Sequence, residues 1–156
     1  MNNAGEMLFS RTAILLVEAD PAMRDMTLAA LGGSGRRRGI VAVADGVEAL
    51  DYLHGRGPHS TRDTRRQPRL VIMDTELPRV DGLHVLRAMR ADPRTRAVPV
   101  VMLTASSERS TLDGCYASGA NSVVRKTSDP AELERKMVKV HDFWLNVNEG
   151  DRPSRV

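Results

Sequence analysis

The stretch Val71-Ile-Met-Asp74-Thr-Glu-Leu-Pro78-Arg-Val-Asp81-Gly82 decides the fold of this chain. It begins as a continuous apolar run, which is typical of a parallel strand buried on both faces of a sheet. The run ends at a carboxylate, Asp74, and a turn from Pro78 through Gly82 follows. A buried strand that ends on an acidic side chain predicts a functional residue at the carboxyl edge of an open α/β sheet.

Similar apolar runs alternate with helical patterns on both sides of this stretch. The predicted strands are 12–17, 40–44, 70–73, 98–103 and 122–124. The predicted helices are 21–31, 45–53, a third that stops near residue 92, 107–118 and 130–147, the last with a capping box at Asp129 and Glu132. Five strands that alternate with five helices predict a parallel sheet covered on both faces.

Length and composition indicate one globular domain and exclude several classes of protein. The chain has 156 residues, of which 41% are apolar and 28% charged. No apolar run approaches the ~20 residues of a membrane span, so no membrane association is expected. The start lacks the pattern of a secretory signal, and the single cysteine, Cys115, suits a reducing cytoplasm. Arginines cluster at 36–38 and 56–69 without nearby aromatic residues, so we expect solvated loops and no nucleic-acid binding.

The polar residues that follow the predicted strands form a candidate site. Carboxylates about 4 Å apart repel each other by about 1–4 kcal/mol per pair, and a divalent cation removes that repulsion. Oxygen ligands favour magnesium or calcium over zinc. Carboxylate, metal, hydroxyl and lysine together suit phosphoryl transfer. The residues are Glu18 after the first strand, Asp74 after the third, Thr104 after the fourth and Lys126 after the fifth, with Asp20 and Glu76 two residues beyond the first and third.

Four segments, in the family's order, resemble the receiver domain of two-component response regulators: 14–18, 71–82, 100–105 and 119–126. The resemblance implies a flavodoxin-like, doubly wound (βα)5 fold with a five-stranded parallel sheet of order 2-1-3-4-5. It implies a receiver domain over 11–148, an N-terminal extension over 1–10 and a flexible C-terminal tail over 149–156. The long loop after the second helix and the ending His141-Asp-Phe-Trp-Leu145 are similar to small stand-alone regulators of phytochrome-type histidine kinases.

The same resemblance implies a role for each site residue. Asp74 is the implied phosphoacceptor for a sensor histidine kinase, Thr104 the hydroxyl that moves toward the phosphoryl group, and Lys126 its ion-pair partner. Ala105 implies room for that group. A magnesium ion is implied, with Glu18, Asp74 and the backbone carbonyl of Glu76 as ligands. The implied protein is a phosphoacceptor, not an enzyme beyond its own phosphorylation and dephosphorylation.

Three positions depart from the family pattern. Ala19 replaces an acidic metal ligand; Asp20 either compensates for it or only caps the first helix, and the cap is the favoured interpretation. Thr127 follows the lysine where the family has a proline, so we expect a trans bond there. Val123 replaces an aromatic switch residue. These departures leave open an alternative, a pseudo-receiver that binds partners without phosphorylation. An aspartate-dependent phosphatase is a weaker alternative, based on a faint likeness of 74–76 to haloacid-dehalogenase-like phosphatases.

Phe143, Trp144 and Leu145 are consecutive, and one helix face cannot bury all three against the sheet. An exposed apolar patch usually marks an interface. We therefore predict a homodimer or partner surface that involves the fourth and fifth helices.

Overall fold

The computed structural model describes residues 12–32 and 39–150, and in them five parallel strands form one sheet of order β2-β1-β3-β4-β5. The predicted fold class and strand order are confirmed. The strands are β1 (Ile14–Val17), β2 (Ile40–Val43), β3 (Leu70–Asp74), β4 (Val100–Thr104) and β5 (Ser122–Arg125). The helices are α1 (Pro21–Gly32), α2 (Gly46–His54), α3 (Gly82–Ala91), α4 (Arg109–Ala117) and α5 (Pro130–Asp142).

Alternation along each buried strand sends side chains to two separate cores. One core packs Leu15, Val71 and Met102 against helices α2, α3 and α4. The other packs Leu16 and Ile72 against helices α1 and α5. The strands β1, β3 and β4 are buried along their whole length, as their unbroken apolar runs predict. The sheet is therefore covered on both faces, and its edges carry the polar residues.

The helix starts follow the local chemistry of the sequence. The carboxylate of Asp45 accepts a hydrogen bond from the Glu48 amide at 2.8 Å and begins α2. The carboxylate of Asp129 caps α5 through the Ala131 amide at 3.1 Å. Glu132 does not complete the predicted capping box, because its carboxylate accepts the Thr127 hydroxyl at 3.0 Å instead.

The last helix differs from the prediction. The sequence predicts an α-helix to residue 147, but α5 ends at Asp142 and a π-helical segment (Phe143–Val147) follows. Its widened turn is held by the Asn148 amide, which donates to the Phe143 carbonyl at 2.7 Å. The wider turn brings Trp144 and Leu145, which are consecutive, both into contact with the core, and leaves Phe143 outside.

The predicted loop after α2 contains a short 3-10 turn (Gly57–His59). We expected the arginines of this loop to be solvated, but Arg62 packs on an aromatic ring. Its guanidinium lies 3.7 Å from the centre of the Tyr52 ring and donates a hydrogen bond to the Tyr52 carbonyl. The arginines 36–38, the predicted extension 1–10 and most of the predicted tail 149–156 lie outside the described residues. In the described part of the chain, no helix has both the length and the apolar character to span a membrane.

Candidate phosphoryl-acceptor site

The strand register brings two carboxylates side by side at the carboxyl edge of the sheet. Val17 lies opposite Met73 in the β1–β3 pair, so the next residues, Glu18 and Asp74, are neighbours. The Glu18 amide donates to the Val43 carbonyl at 3.0 Å, which continues the sheet ladder one residue beyond β1. Glu18 is fully buried and Asp74 is 8% exposed. Two acidic side chains therefore meet in a site that is closed to most solvent.

Lys126 bridges the two carboxylates. Its Nζ lies 2.7 Å from Glu18 Oε1 and 2.6 Å from Asp74 Oδ2. The backbone directs this reach, because the Lys126 amide donates to the Thr104 carbonyl at 2.8 Å. All described peptide bonds are trans, including the one to Thr127, as expected from the sequence. The predicted juxtaposition of a carboxylate pair and a single ammonium is present.

Burial and charge shift the titration of these groups. Burial, together with the neighbouring Asp74 carboxyl group, raises the pKa of Glu18 to about 7, although Lys126 opposes the shift. Burial lowers the pKa of Lys126, but its bonds to Asp74 and Glu18 outweigh that effect and the net pKa lies above the ordinary value. Lys126 therefore stays charged near neutral pH, whereas Glu18 exchanges a proton there.

Thr104 and Ala105 end β4 at the same edge. Thr104 is 1% exposed, and its hydroxyl accepts a hydrogen bond from the Ser106 amide at 3.1 Å. Ala105 is exposed and adds only a methyl group beside the strand end. The predicted hydroxyl and the predicted small residue are thus both placed at the carboxyl end of β4.

Ordinary structural contacts are made by three residues at or beside the positions that depart from the family pattern. Asp20 is exposed, and its Oδ1 accepts a hydrogen bond from the Ala22 amide at 2.9 Å. The predicted cap of α1 is therefore confirmed. Val123 is half-buried and packs against the core under α2, α3 and α4. The Thr127 hydroxyl donates a hydrogen bond to the Glu132 carboxylate near the start of α5.

The fit of a divalent cation rests on the carboxylates themselves. Within residues 12–32 and 39–150, no three His, Cys, Asp or Glu side chains converge on one point. However, Glu18 Oε2 is buried and has no hydrogen-bond partner among the described residues, which leaves an acceptor free beside Asp74. Magnesium is usually held by one or two carboxylates and several waters. Glu18 and Asp74 therefore fit such an ion, while the Glu76 side chain is exposed.

The close backbone packing behind Asp74 was not predicted from the sequence. A Cβ atom at Gly82 would lie 2.1 Å from the Asp74 carbonyl oxygen, and one at Gly46 would lie 2.0 Å from the Val80 carbonyl oxygen. The Gly82 amide also donates to the Thr75 carbonyl at 3.1 Å. The Asp-Gly pairs at the starts of α2 and α3 were the available signal. These contacts hold the loop after β3 against two helix starts.

The three predicted interface residues do not share one environment. Phe143 is 47% exposed, and its ring meets the Trp144 ring edge-on at 5.0 Å. Trp144 and Leu145 are half-buried against the core under α1 and α5. Other large exposed apolar side chains are Tyr116 on α4 and Val147 in the π-helical segment.

Known proteins are similar to this chain in sequence. "Probable methanogenesis regulatory protein FilR2" of Methanothrix harundinacea is 36% identical over 146 residues, which are 90% of this chain and 88% of the relative. "Response regulator Rre1" of Synechocystis is 35% identical over 122 residues, or 78% of this chain, and the chain spans 48% of that longer relative.

Solved structures give the same result. The phosphorylated cyanobacterial phytochrome response regulator RcpA matches with a TM-score of 0.82 at 28% identity, over 91% of this chain and 99% of that one. The Mn²⁺-bound form of response regulator Rcp1 matches with a TM-score of 0.79 at 26% identity, over 89% and 98%. The model of the response regulator receiver domain matches residues 14–138. That match runs from β1 into α5 and includes every strand of the sheet, so the chain belongs to the response regulator receiver domain family.

Proposed function

We propose that this chain is a phosphorylation-dependent response regulator whose Asp74 accepts a phosphoryl group from a sensor histidine kinase. The observation that carries the proposal is the bridge from Lys126 Nζ to Asp74 Oδ2 and Glu18 Oε1. It holds the acceptor side chain against a fixed positive charge in a buried site. The chain then acts as an acceptor and not as an enzyme on a separate substrate, and its own chemistry is limited to self-phosphorylation and self-dephosphorylation.

In the proposed transfer, a carboxylate oxygen of Asp74 attacks the phosphorus of a phosphohistidine. A phosphorus–oxygen bond forms, the phosphorus–nitrogen bond breaks, and the imidazole leaves with the electron pair. Asp74 is oriented for this step because its Oδ1 accepts the Glu76 amide at 3.0 Å. Lys126 balances the charge that the transferred oxygens bring into the site.

A magnesium ion, when bound, would neutralise part of the charge on the phosphoryl oxygens. Glu18 would hold it through the free Oε2, with Asp74 and the Glu76 carbonyl. Because Glu18 has a pKa of about 7, a proton competes with the cation below that pH. Cation affinity should therefore rise as the pH increases through about 7.

The phosphoryl group adds a charge of about −1.5 to −2. We propose that it draws the Thr104 hydroxyl inward and shifts the surface of α4, β5 and α5. Position 123 is valine, so the rotation of an aromatic side chain there cannot couple Thr104 to that surface. The likeness to RcpA favours a phytochrome-type kinase, a bacteriophytochrome, as the partner. The buried free thiol of Cys115 suits a reducing cytoplasm.

Beryllofluoride, which mimics a phosphoryl group, tests the proposal by ¹⁹F NMR under magnesium titration. We expect a saturable, magnesium-dependent bound signal that Asp74→Asn abolishes. Asp63→Asn, at an exposed carboxylate paired with Arg65, is the matched control and should bind like wild type. The magnesium concentration that gives half of the bound signal should decrease as the pH rises from about 6 to about 8.

Two results would contradict the proposed function. The absence of a saturable signal at any magnesium concentration would favour a pseudo-receiver that acts without phosphorylation. A signal that survives Asp74→Asn would place the acceptor elsewhere.

We also propose a homodimer that uses α4, α5 and the exposed ring of Phe143. The carboxylate introduced by Phe143→Asp would be buried without a partner at an apolar interface. We therefore expect it to raise the dissociation constant of the dimer by about 30-fold or more. His84→Asp, at an exposed position of α3, is the control. Sedimentation velocity over a concentration series measures both, and a monomer in wild type and variant alike would end this proposal.

A further inference from the structure

A cavity lies at the amino ends of the strands, the edge of the sheet opposite to Asp74. It has a volume of about 450 Å³. Its walls come from the segment before β3, the segment before β4, and the π-helical segment with the residues that follow it. All three meet at the amino ends of the parallel strands, and β3 separates this edge from Asp74 by about 13 Å. The cavity is therefore distinct from the phosphoryl-acceptor site.

The lining of this cavity is strongly basic. Arg65, Arg69, Arg94 and Arg96 all contribute to it, against the single acid Glu149. Two of the four are already neutralised: Arg65 makes a forked pair with Asp63, and Arg94 makes one with Asp92.

Arg69 and Arg96 have no such partner in the part of the chain that the structure describes. Neither forms an ion pair with any carboxylate of residues 12–32 or 39–150. Arg69 is half-buried, and its Nη2 donates to the Leu145 carbonyl at 2.6 Å. That bond uses one of five N–H groups of the guanidinium. A partly buried cation without a counter-charge at a cavity wall favours an anion in the cavity.

The remainder of the wall includes apolar and ring surface. The Trp144 side chain, Val98, Pro68 and Pro99 line it. Trp144 is only half-buried by its own core, so part of the indole is available to a ligand. Such a wall is complementary to a flat apolar body and not to a bare inorganic ion.

We propose that this cavity binds a small organic anion: an aromatic or branched apolar body against Trp144, with a carboxylate or sulfonate held by Arg69 and Arg96. The volume lies in the range of about 300–1,000 Å³ that small-molecule sites occupy. A bidentate guanidinium is the side chain best matched to a carboxylate. Because the ligand joins the π-helical segment to the segments before β3 and β4, binding stabilises the carboxyl-terminal end of the domain. The site does not depend on phosphorylation of Asp74.

Trp144 makes the proposal directly measurable, because it is the only tryptophan of the chain. The probe is 1-anilinonaphthalene-8-sulfonate, and energy transfer from Trp144 reports its binding. We expect a saturable signal with one site per chain. Unlabelled 4-phenylbutyrate should displace the probe, and the neutral 4-phenylbutan-1-ol of the same shape should not.

Charge-matched variants locate the anion. Arg96→Gln and Arg69→Gln should each weaken probe binding by about 10-fold, since a hydrogen bond to a charged group is lost. Arg96 is exposed, so its variant tests the site even if loss of the Arg69–Leu145 bond disturbs the fold. Arg109→Gln is the control, because Arg109 begins α4 at the carboxyl edge of the sheet, away from the cavity. Phenylbutyrate should also raise the melting temperature of wild type more than that of Arg96→Gln.

Three outcomes would overturn the proposal. They are binding without saturation, equal weakening by Arg109→Gln, and displacement by the neutral alcohol as readily as by the acid. We expect Asp74→Asn to bind the probe as wild type does. The test of the cavity is therefore independent of whether Asp74 is phosphorylated.

Discussion

Replacement of Lys126 by methionine is expected to slow phosphoryl acceptance by Asp74 about 10²–10³-fold. Methionine keeps most of the length of the side chain but removes the only cation that pairs with the Asp74 and Glu18 carboxylates among the described residues. The transferred oxygens then enter a site with two carboxylates and no balancing ammonium. The loss should fall on the chemical step, since the nucleophile itself remains.

Acetyl phosphate serves as the donor for this measurement, and the phosphorylated fraction is followed by mass or by gel shift over time. Lys139→Met, at an exposed position of α5, is the control and should phosphorylate at the wild-type rate. A second effect is expected by NMR titration. Lys126 lowers the pKa of Glu18, so in Lys126→Met that pKa should rise above its value of about 7. A wild-type rate in Lys126→Met would contradict the charge-balancing role.

The same substitution, glycine to alanine, is expected to have opposite effects in two neighbouring helices. At Gly82, the new Cβ would lie 2.1 Å from the Asp74 carbonyl oxygen and 3.0 Å from that of Thr75. These atoms are backbone and cannot move aside without shifting the end of β3. We expect Gly82→Ala to lower the free energy of unfolding by about 2–3 kcal/mol, even after the gain in helix propensity.

Gly114 in α4 provides the matched control. A Cβ there would meet the Leu83 Cδ1 atom at 3.8 Å, an ordinary van der Waals contact. Gly114→Ala should therefore raise the free energy of unfolding by up to about 1 kcal/mol through helix propensity alone. By calorimetry, the melting temperature should fall roughly 4–12 °C for Gly82→Ala and rise roughly 2–4 °C for Gly114→Ala. Equal effects of the same sign would show that the approach of Gly82 to Asp74 is not limiting.

The elements of the fold were predictable because each has a local cause. Buried parallel strands appear as unbroken apolar runs, and Asp20, Asp45 and Asp129 mark helix starts through capping chemistry. The edge at which the site residues meet was also predictable, because parallel strands bring their carboxyl ends together. The distances between the site residues could not be predicted from the sequence pattern. The pattern does not show that Lys126 contacts both the Glu18 and the Asp74 carboxylates.

The end of the last helix could not be predicted for a different reason. Its apolar spacing fits an α-helix to residue 147, but Trp144 and Leu145 both pack on the core and the backbone widens to permit this. Tertiary packing here outweighs local helix geometry. Arg62 on the Tyr52 ring is a similar case, since the two residues are brought together only when the loop folds back.

The sequence by itself determined the strand and helix order, the family resemblance and the identity of the residues at the carboxyl edge, because these depend on periodicity and capping within short segments. Only the tertiary structure decided the bridge of Lys126 between Glu18 and Asp74, the backbone contact that requires glycine at position 82, and the arginine-lined cavity below β3 and β4. Each of these joins residues that are far apart in the chain. Their energies depend on separations and burial that arise only when the strands pair and the helices pack.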